Sequence, residues 1–436
     1  MLERHDSQGV HRLSSQRPRA LGGASTLLVL IGLLLAANLV AADRESPRVV
    51  AVADVHGNLD NFLQILREAG IVDVQGNWAG GTDIFVQTGD LVDRGPDDRA
   101  VLDLIMKLEK QSHAAGGRVV SLLGNHEGMN VLGDLRYVDV EAYAAFADED
   151  SAKRQEDYLK KLMKFQKRRA KKLGQPEPQW DAAAKALWKA KYPAGFVEHR
   201  EAFSEKGHYG KWLRERPALA LVEGVLFLHA GVSPQLAQLS LDEINKRVRN
   251  ELKAYDSYRK TLVGQDVILE YYTVQEMIAA VRNEFEYQSQ RDPSQIMSRA
   301  FNPDMALSRH RQYVDLLRGV LGYSSWLVNS PIGPLWFRGY AKWEDQDGLQ
   351  TMPEIAGRFK AKAVVVGHTP QLKSGIRARF EGRVLLIDTG LNNAYYKGGA
   401  PSALEIVDDT FTALYSDGRR ETLISQAAAA STAQSR

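Results

Sequence analysis

Short apolar runs rich in β-branched residues recur from Arg48 onward, at 49–53, 84–88, 119–123, 225–228, 363–366, 384–387 and 403–407. Each run is continuous rather than alternating, which predicts strands buried on both faces. Such strands need helices packed over their sheets, so the pattern predicts an α/β architecture. Helical spacing falls between the strands at 61–69 and 98–110. Most of the runs end within three residues in Gly and a polar or charged side chain.

Two longer stretches break the alternation. Residues from about 141 to 195 are rich in Ala, Lys and Glu, poor in strand formers and interrupted at 174–178, which predicts a helical hairpin-like insertion. A second helical block is expected over about 241–317, with a loop near Asp292-Pro293. Residues 425–436 are Ala/Ser/Gln-rich and read as a disordered tail. One domain over 43–424 is therefore expected, and no internal repeat is visible.

The first 42 residues have a different character. Arg4, Arg12, Arg17 and Arg19 precede an uncharged stretch over 20–42, and Val40-Ala41-Ala42 offers small residues for cleavage before Asp43. That is the pattern of a signal peptide. The stretch also approaches the roughly 20 residues that span a bilayer, so an uncleaved anchor is the alternative. Either reading puts the body outside the cytoplasm, in a periplasmic or extracellular space.

Composition narrows the chemistry. With 436 residues, 44% hydrophobic and 25% charged, the chain is not disordered throughout. Its 56 Lys and Arg against 54 Asp and Glu create no overall field for nucleic acid, and no nucleic-acid partner is expected. Residues 151–191 nonetheless carry 13 Lys and Arg against 4 acidic residues. That basic insertion reads as a solvated helical face, as a surface for anionic membrane lipid, or as a cap over the site. The absence of Cys removes disulfides, thiolate metal sites and Cys nucleophiles together, leaving His, Asp, Glu and Asn as ligands.

Such residues stand where the apolar runs stop: Asp54-Val55-His56-Gly57, Gly89-Asp90 with Asp93-Arg94-Gly95, Gly124-Asn125-His126-Glu127, His229-Ala230-Gly231 and Gly367-His368-Thr369. Ligands of α/β sheets collect at the carboxyl ends of strands, so these five ends can converge. Asp54 and His56, two apart on an extended segment, would share a face and grip one cation. Asp90 can bridge to a second cation completed by Asn125, His229 and His368, a mixed N/O set suited to Mn, Fe or Zn rather than Ca. Two divalent metal ions flanking a hydroxide support in-line attack on phosphorus. Arg94 offers a planar fork to phosphate, and Arg338 in Leu335-Trp336-Phe337-Arg338-Gly339 is the candidate second arginine. His126, one residue past a ligand, should point away from the metals and protonate the leaving oxygen, oriented by Asp93. Glu127 and Asp388 read as supporting carboxylates, Tyr395 and Tyr396 as packing, and His113, His199, His208 and His310 as structural.

These motifs, in this order, resemble the phosphoprotein phosphatase branch of the calcineurin-like metallophosphoesterases. Gly-Asn-His-Glu-Gly-Met-Asn at 124–130 and Tyr-Gly-Lys-Trp-Leu at 209–213 further resemble its bacterial-type members. The resemblance covers 49 to about 390 and implies a two-sheet β-sandwich flanked by helices with a dinuclear site. It assigns Asp54, His56 and Asp90 to one metal, Asp90, Asn125, His229 and His368 to the other, Arg94 to phosphate and His126 to a pair with Asp93. Ala230 departs from the usual Gly, and the basic segment spreads Asn125 from His229 more widely than in compact members.

The resulting expectation is a metallophosphatase hydrolysing phosphate monoesters by attack of a metal-bridging hydroxide. Its substrate is expected to be a phosphorylated protein, on Ser/Thr or Tyr, or a small phosphoester. The same motifs also serve dinucleoside polyphosphate hydrolases and phosphodiesterases. A catalytically silent binding module is the third reading, and it would require a lost ligand or acid.

Overall fold

The computed structural model describes residues 46–298 and 300–425. The expected leader, and the expected tail beyond Ser425, lie outside the described residues. Eleven strands run in chain order: β1 (Val49–Val52), β2 (Ile84–Gln87), β3 (Arg118–Ser121), β4 (Leu219–Val222), β5 (Val225–Leu228), β6 (Ala363–Val366), β7 (Arg377–Arg379), β8 (Val384–Leu386), β9 (Ser402–Val407), β10 (Thr410–Tyr415) and β11 (Arg420–Ile424). Every expected apolar run is among them, and β4, β7, β10 and β11 are additional.

The strands form two mixed sheets, ordered β11-β10-β9-β1-β2-β3 and β4-β5-β6-β8-β7. In the first, β1, β2 and β3 are parallel, with Val50 opposite Phe85 and Phe85 opposite Val119. In the second, β5, β6 and β8 are parallel. Side chains alternate between two cores, as the pleat requires. Val49, Ala51 and Ala53 pack with Phe227, Val365 and Leu385 between the sheets. Val50 and Val52 join Phe62 and Ile65 of the covering helix Leu59–Glu68. The α/β sandwich expected from the sequence is thus the observed fold. Adjacent parallel strands bring their carboxyl ends to one edge, which fixes where the polar turns meet.

The basic insertion forms helices Ser151–Leu173 and Ala182–Lys191, with helix Phe196–Ala202 directly after it, and Gly174 ends the first in a left-handed cap at φ 66°. Tyr158, Leu162, Phe165, Trp188, Tyr192 and Phe196 belong to the main hydrophobic core, because one face of the long helix is apolar. Part of its positive charge is also met within the fold. Lys161 pairs with Glu270 at 2.5 Å, Arg168 with Asp266 at 2.6 Å and Arg169 with buried Glu284 at 2.6 Å. These acids lie in the second helical block, which comprises Leu241–Gly264, Val274–Ser289, Pro293–Ser298 and Pro303–Leu321 and the turns between them. Among the described residues, no helix is long and apolar enough to cross a membrane.

Candidate metal centre

The turns after β1, β2, β3, β5 and β6 bring Asp54, His56, Asp90, Asn125, His126, His229 and His368 together, all buried. One ligand atom each from His56, Asp90 and His126 lies within 4.8 Å of the others, and the same holds for Asp90, His229 and His368. Asp90 belongs to both groups. Its Oδ2 is 3.8 Å from His56 Nε2, 3.9 Å from His126 Nε2 and 3.2 Å from His229 Nε2. Asp54 Oδ2 is 3.7 Å from His56 Nε2, and Asn125 Oδ1 and His368 Nδ1 approach His229 Nε2 to 2.9 and 3.0 Å.

The histidine tautomers test whether a cation fits. His229 Nδ1 lies 3.0 Å from the Thr88 carbonyl and His56 Nδ1 lies 3.0 Å from the Val92 carbonyl, so each Nδ1 must carry a proton to donate. In the neutral ring Nε2 is then a bare lone pair. His229 Nε2 therefore faces the Asn125 carbonyl oxygen, the Asp90 carboxylate and a His368 nitrogen. Acceptors converging on one point in a buried site repel unless positive charge lies between them. At His56, a guanidinium nitrogen of Arg94 meets the bare Nε2. The buried His368 Nε2 has no hydrogen-bond partner among the described residues. The donor set fits divalent metal.

The electrostatics agree. Burial and the neighbouring Asp388 push Asp54 well above the usual carboxylate range. Burial alone would lower His229, but the Asp90 and Asp54 carboxylates outweigh it and lift the ring to about 9, so without a metal a proton takes the cation's place on Nε2. A cation would hold both aspartates ionised and relieve both shifts.

Left-handed backbone marks the turns after β1, β2 and β6. His56, Asp90, Asp93, Arg94 and His368 all have positive φ, between 51° and 72°. Non-glycine residues pay about 1–3 kcal/mol each for sparsely populated backbone, and such residues gather at functional sites. Glycine is required at 124, where a Cβ would stand 2.2 Å from Asp90 N and 2.3 Å from Asp90 Oδ1. These turns also correct two steps of the sequence reading. Asp54 and His56 meet through a left-handed turn at His56, not across an extended face. His126 does not point away from the cluster. Asn125 and His126 open the helix Asn125–Leu132, where successive side chains diverge by about 100° rather than alternating, and His126 lies edge-on to His56 at 4.8 Å.

Asp93 accepts from His126 Nδ1 at 2.5 Å, and is held in turn by Asn130 Nδ2 at 2.8 Å. Arg94 reaches His56, and Arg338 donates from Nη1 to the His368 carbonyl at 2.9 Å and to Thr369 Oγ1 at 3.0 Å. The structure therefore brings every sequence-predicted residue to the site, with the two arginines on different histidines. It adds Tyr137, Asn392 and Asp98, which the sequence did not single out, and sets Tyr395 and Tyr396, read there as packing, beside Arg94. The Tyr396 hydroxyl accepts from the Arg94 guanidinium, and the rings of Tyr137, Tyr395 and Tyr396 stand 5.2–5.6 Å from that guanidinium. Asn392 Nδ2 donates to the His56 carbonyl at 2.8 Å. Asp98 accepts from Asp93 N at 2.8 Å. Glu127 binds backbone rather than the cluster, accepting from the N–H groups of Asp90, Leu91, Val92 and Gly124.

The model of the calcineurin-like phosphoesterase family matches residues 47–372. The chain belongs to that family. This phosphoesterase is 29% identical over 363 residues to an uncharacterized protein of Schizosaccharomyces pombe, a match covering 82% of this chain and 77% of that one. It is 28% identical over 218 residues to Shewanella-like protein phosphatase 2 of Arabidopsis thaliana, covering 49% of this chain and 53% of that one. The phosphoesterase thus spans about half the length of that relative. Among solved structures it shares its fold with the cold-active protein-tyrosine phosphatase of a psychrophilic Shewanella species. That likeness has a TM-score of 0.53 and 23% identity, covering 87% of this chain and 80% of that one.

Proposed function

We propose that this phosphoesterase is a metal-dependent phosphatase acting on phosphate monoesters of protein. Two divalent ions are assigned to it, Mn, Fe or Zn. Asp54, His56 and Asp90 would hold one, and Asp90, Asn125, His229 and His368 the other. The observation that carries the reading is the convergence of Asp90, Asn125 and His368 on His229 Nε2 at 2.9–3.2 Å. Bound there, the ions would supply Lewis-acid charge to phosphate oxygens and lower the pKa of an attacking water.

The chain's own groups do the rest. Arg94 and Arg338 hold the phosphate oxygens from two directions. Asp93 fixes the His126 ring by its Nδ1, leaving Nε2 to give a proton to the leaving oxygen. Glu127 holds the Asp90 and Gly124 turns in register. None of the ligands or the acid is lost, which weighs against a silent binding module. The basic and apolar character of residues 1–42 supports export, to be checked by fractionation and N-terminal sequencing.

The deciding experiment measures metal content and turnover of the purified protein with Mn, Zn, Fe and Mg. The substrates are phosphotyrosine and phosphoserine peptides, a diester and a dinucleoside polyphosphate. Turnover of the peptides with loss of metal in Asp90→Asn is the expected result. Preference for the diester or dinucleotide would move the reading to the runner-up class, and no turnover on any would favour the binding module.

A further inference from the structure

A cavity of about 310 Å³ opens where the basic insertion meets the second helical block. Lys172, at the end of helix Ser151–Leu173, lines one side, and Glu284 and Gln288 of helix Val274–Ser289 line another. Arg291 and the helices Pro293–Ser298 and Pro303–Leu321 supply most of the remainder. On the last helix Ala306, Arg309, His310 and Tyr313 recur three and four apart, so one helical face turns to the cavity. None of the lining residues belongs to the metal centre.

The charge here is lopsided. Lys172, Arg291 and Arg309 line the cavity against one carboxylate, Glu284. That carboxylate already holds the buried Arg169, which is not part of the lining, at 2.6 Å, and has Lys172 at 3.7 Å. Arg291 reaches the neutral amide of Gln288 at 3.3 Å, and neither Arg291 nor Arg309 has an ion pair among the described residues. Burial and Arg291 hold His310 below its ordinary value, so its ring stays neutral at pH 7. The acids nearby in sequence do not reverse the sign. Residues 291–311 carry four Arg against Asp292 and Asp304, and Asp292 accepts from Ser294 N at 2.8 Å and Ser294 Oγ at 2.6 Å. Cations gathered around one concavity repel each other and attract an anion.

Apolar surface adjoins the same cavity. The turn between Pro293–Ser298 and Pro303–Leu321 carries Phe301, the most exposed large apolar side chain among the described residues, and Met305 follows it, also exposed. Ile296 and Ala306, on either side of that turn, both line the cavity. The apolar tip and the cationic cavity are thus parts of one helix pair. A single exposed Phe is ordinary, but a Phe and a Met beside unpaired arginines meet both demands of an anionic bilayer surface. Phosphate groups are held by Arg and Lys, and the ring enters the boundary of the acyl chains. A soluble phosphoester would use the cations and leave Phe301 in water.

We propose that this helix pair seats the phosphoesterase on an anionic lipid surface. A headgroup phosphate lies among Lys172, Arg291 and Arg309, and Phe301 and Met305 enter the acyl boundary. The site stands apart from the phosphatase reading and does not depend on it.

Both sheets and both cores lie within 49–424, so the chain can be assayed without residues 1–42, whose uncharged run could bind lipid by itself. Cosedimentation compares vesicles of phosphatidylcholine alone with vesicles of phosphatidylcholine and phosphatidylglycerol in equal parts. Binding to the mixed vesicles only, weakening as salt rises, is the expected result. Arg291→Gln with Arg309→Gln should weaken it by about tenfold or more. Phe301→Ser should weaken it about tenfold, and all these variants should keep the wild-type melting temperature. The indole introduced by Phe301→Trp should shift its emission to the blue on mixed vesicles and not on phosphatidylcholine. Binding that survives both sets of substitutions, or no binding to mixed vesicles, would overturn the site. So would glycerol 3-phosphate bound at the cavity without vesicle binding, which would mark a soluble ligand. A dimer in light scattering that Phe301→Ser dissolves would overturn it too, by assigning the apolar tip to a second copy.

Discussion

The Nδ1 atom of His126 lies 2.5 Å from the Asp93 carboxylate, and Asn130 holds that carboxylate from its other oxygen. His126 Nε2 nevertheless faces Asp90 at 3.9 Å, so the ring could serve as a proton donor or as a ligand. The two roles separate in His126→Asn. As the acid, it should lose about 10²–10⁴-fold on alkyl phosphates and much less on aryl phosphates with good leaving groups, with metal content intact. Metal loss in step with activity on both substrates would make His126 a ligand. Asp93→Asn should share the leaving-group pattern, because it acts through the same ring.

Glu127 is buried and serves four backbone N–H groups, from Asp90, Leu91, Val92 and Gly124. Glu127→Gln replaces one acceptor oxygen with a donor and leaves some of those N–H groups facing another N–H. Weaker metal retention, by about 10–100-fold in chelator titrations, should follow, together with a lower melting temperature. Unchanged metal retention would show that the Asp90 turn holds itself.

Arg94 and Tyr396 form a second coupled pair, joined through the tyrosine hydroxyl. Tyr396→Phe should raise KM several-fold while kcat stays within about twofold, since the hydroxyl orients the guanidinium and is not consumed. In the background of Arg94→Ala the same change should have almost no effect. Additive losses in the double variant would mean that Tyr396 touches substrate on its own account.

What the sequence made legible follows from burial. The strands β1, β2, β5 and β6 are wholly buried, and β1, β5 and β6 read as unbroken apolar runs while β2 is apolar up to Gln87. By contrast, β7 is Arg-Ala-Arg, and β11 is an edge strand with an exposed Arg-Glu-Thr start, so neither carries an apolar signal. β10 alternates polar and apolar residues and β4 is half-exposed at its centre. The proposed ligands were legible because each one follows a strand. The residues that hold them were not, because their partners are remote: Tyr396 is 302 positions from Arg94 and Asn392 is 336 from His56. A ring near a loop reads as packing until the fold puts a cation beside it. The direction of His126 failed for a local reason, since a motif gives residue order but not the helical start that turns neighbours toward one side.

His199, read from the sequence as structural, is fully buried among the rings of Tyr143, Phe146 and Phe203, at 5.2, 4.9 and 4.5 Å. Neither ring nitrogen has a hydrogen-bond partner among the described residues. Burial, with Arg200 adding to it, holds this imidazole well below its ordinary 6.5, so it stays neutral in the fold when the unfolded chain has taken up a proton. The unfolded state therefore binds more protons below pH 6.5, and stability falls as pH drops from there toward the folded value. The slope approaches about 1.4 kcal/mol per pH unit for one group. His199→Phe keeps an aromatic ring in the cluster and removes the proton. Denaturant unfolding of the metal-free protein between pH 7 and 5 should show a shallower acid decline in the variant than in wild type. Parallel declines would mean that the ring is protonated in the native state and finds a partner there.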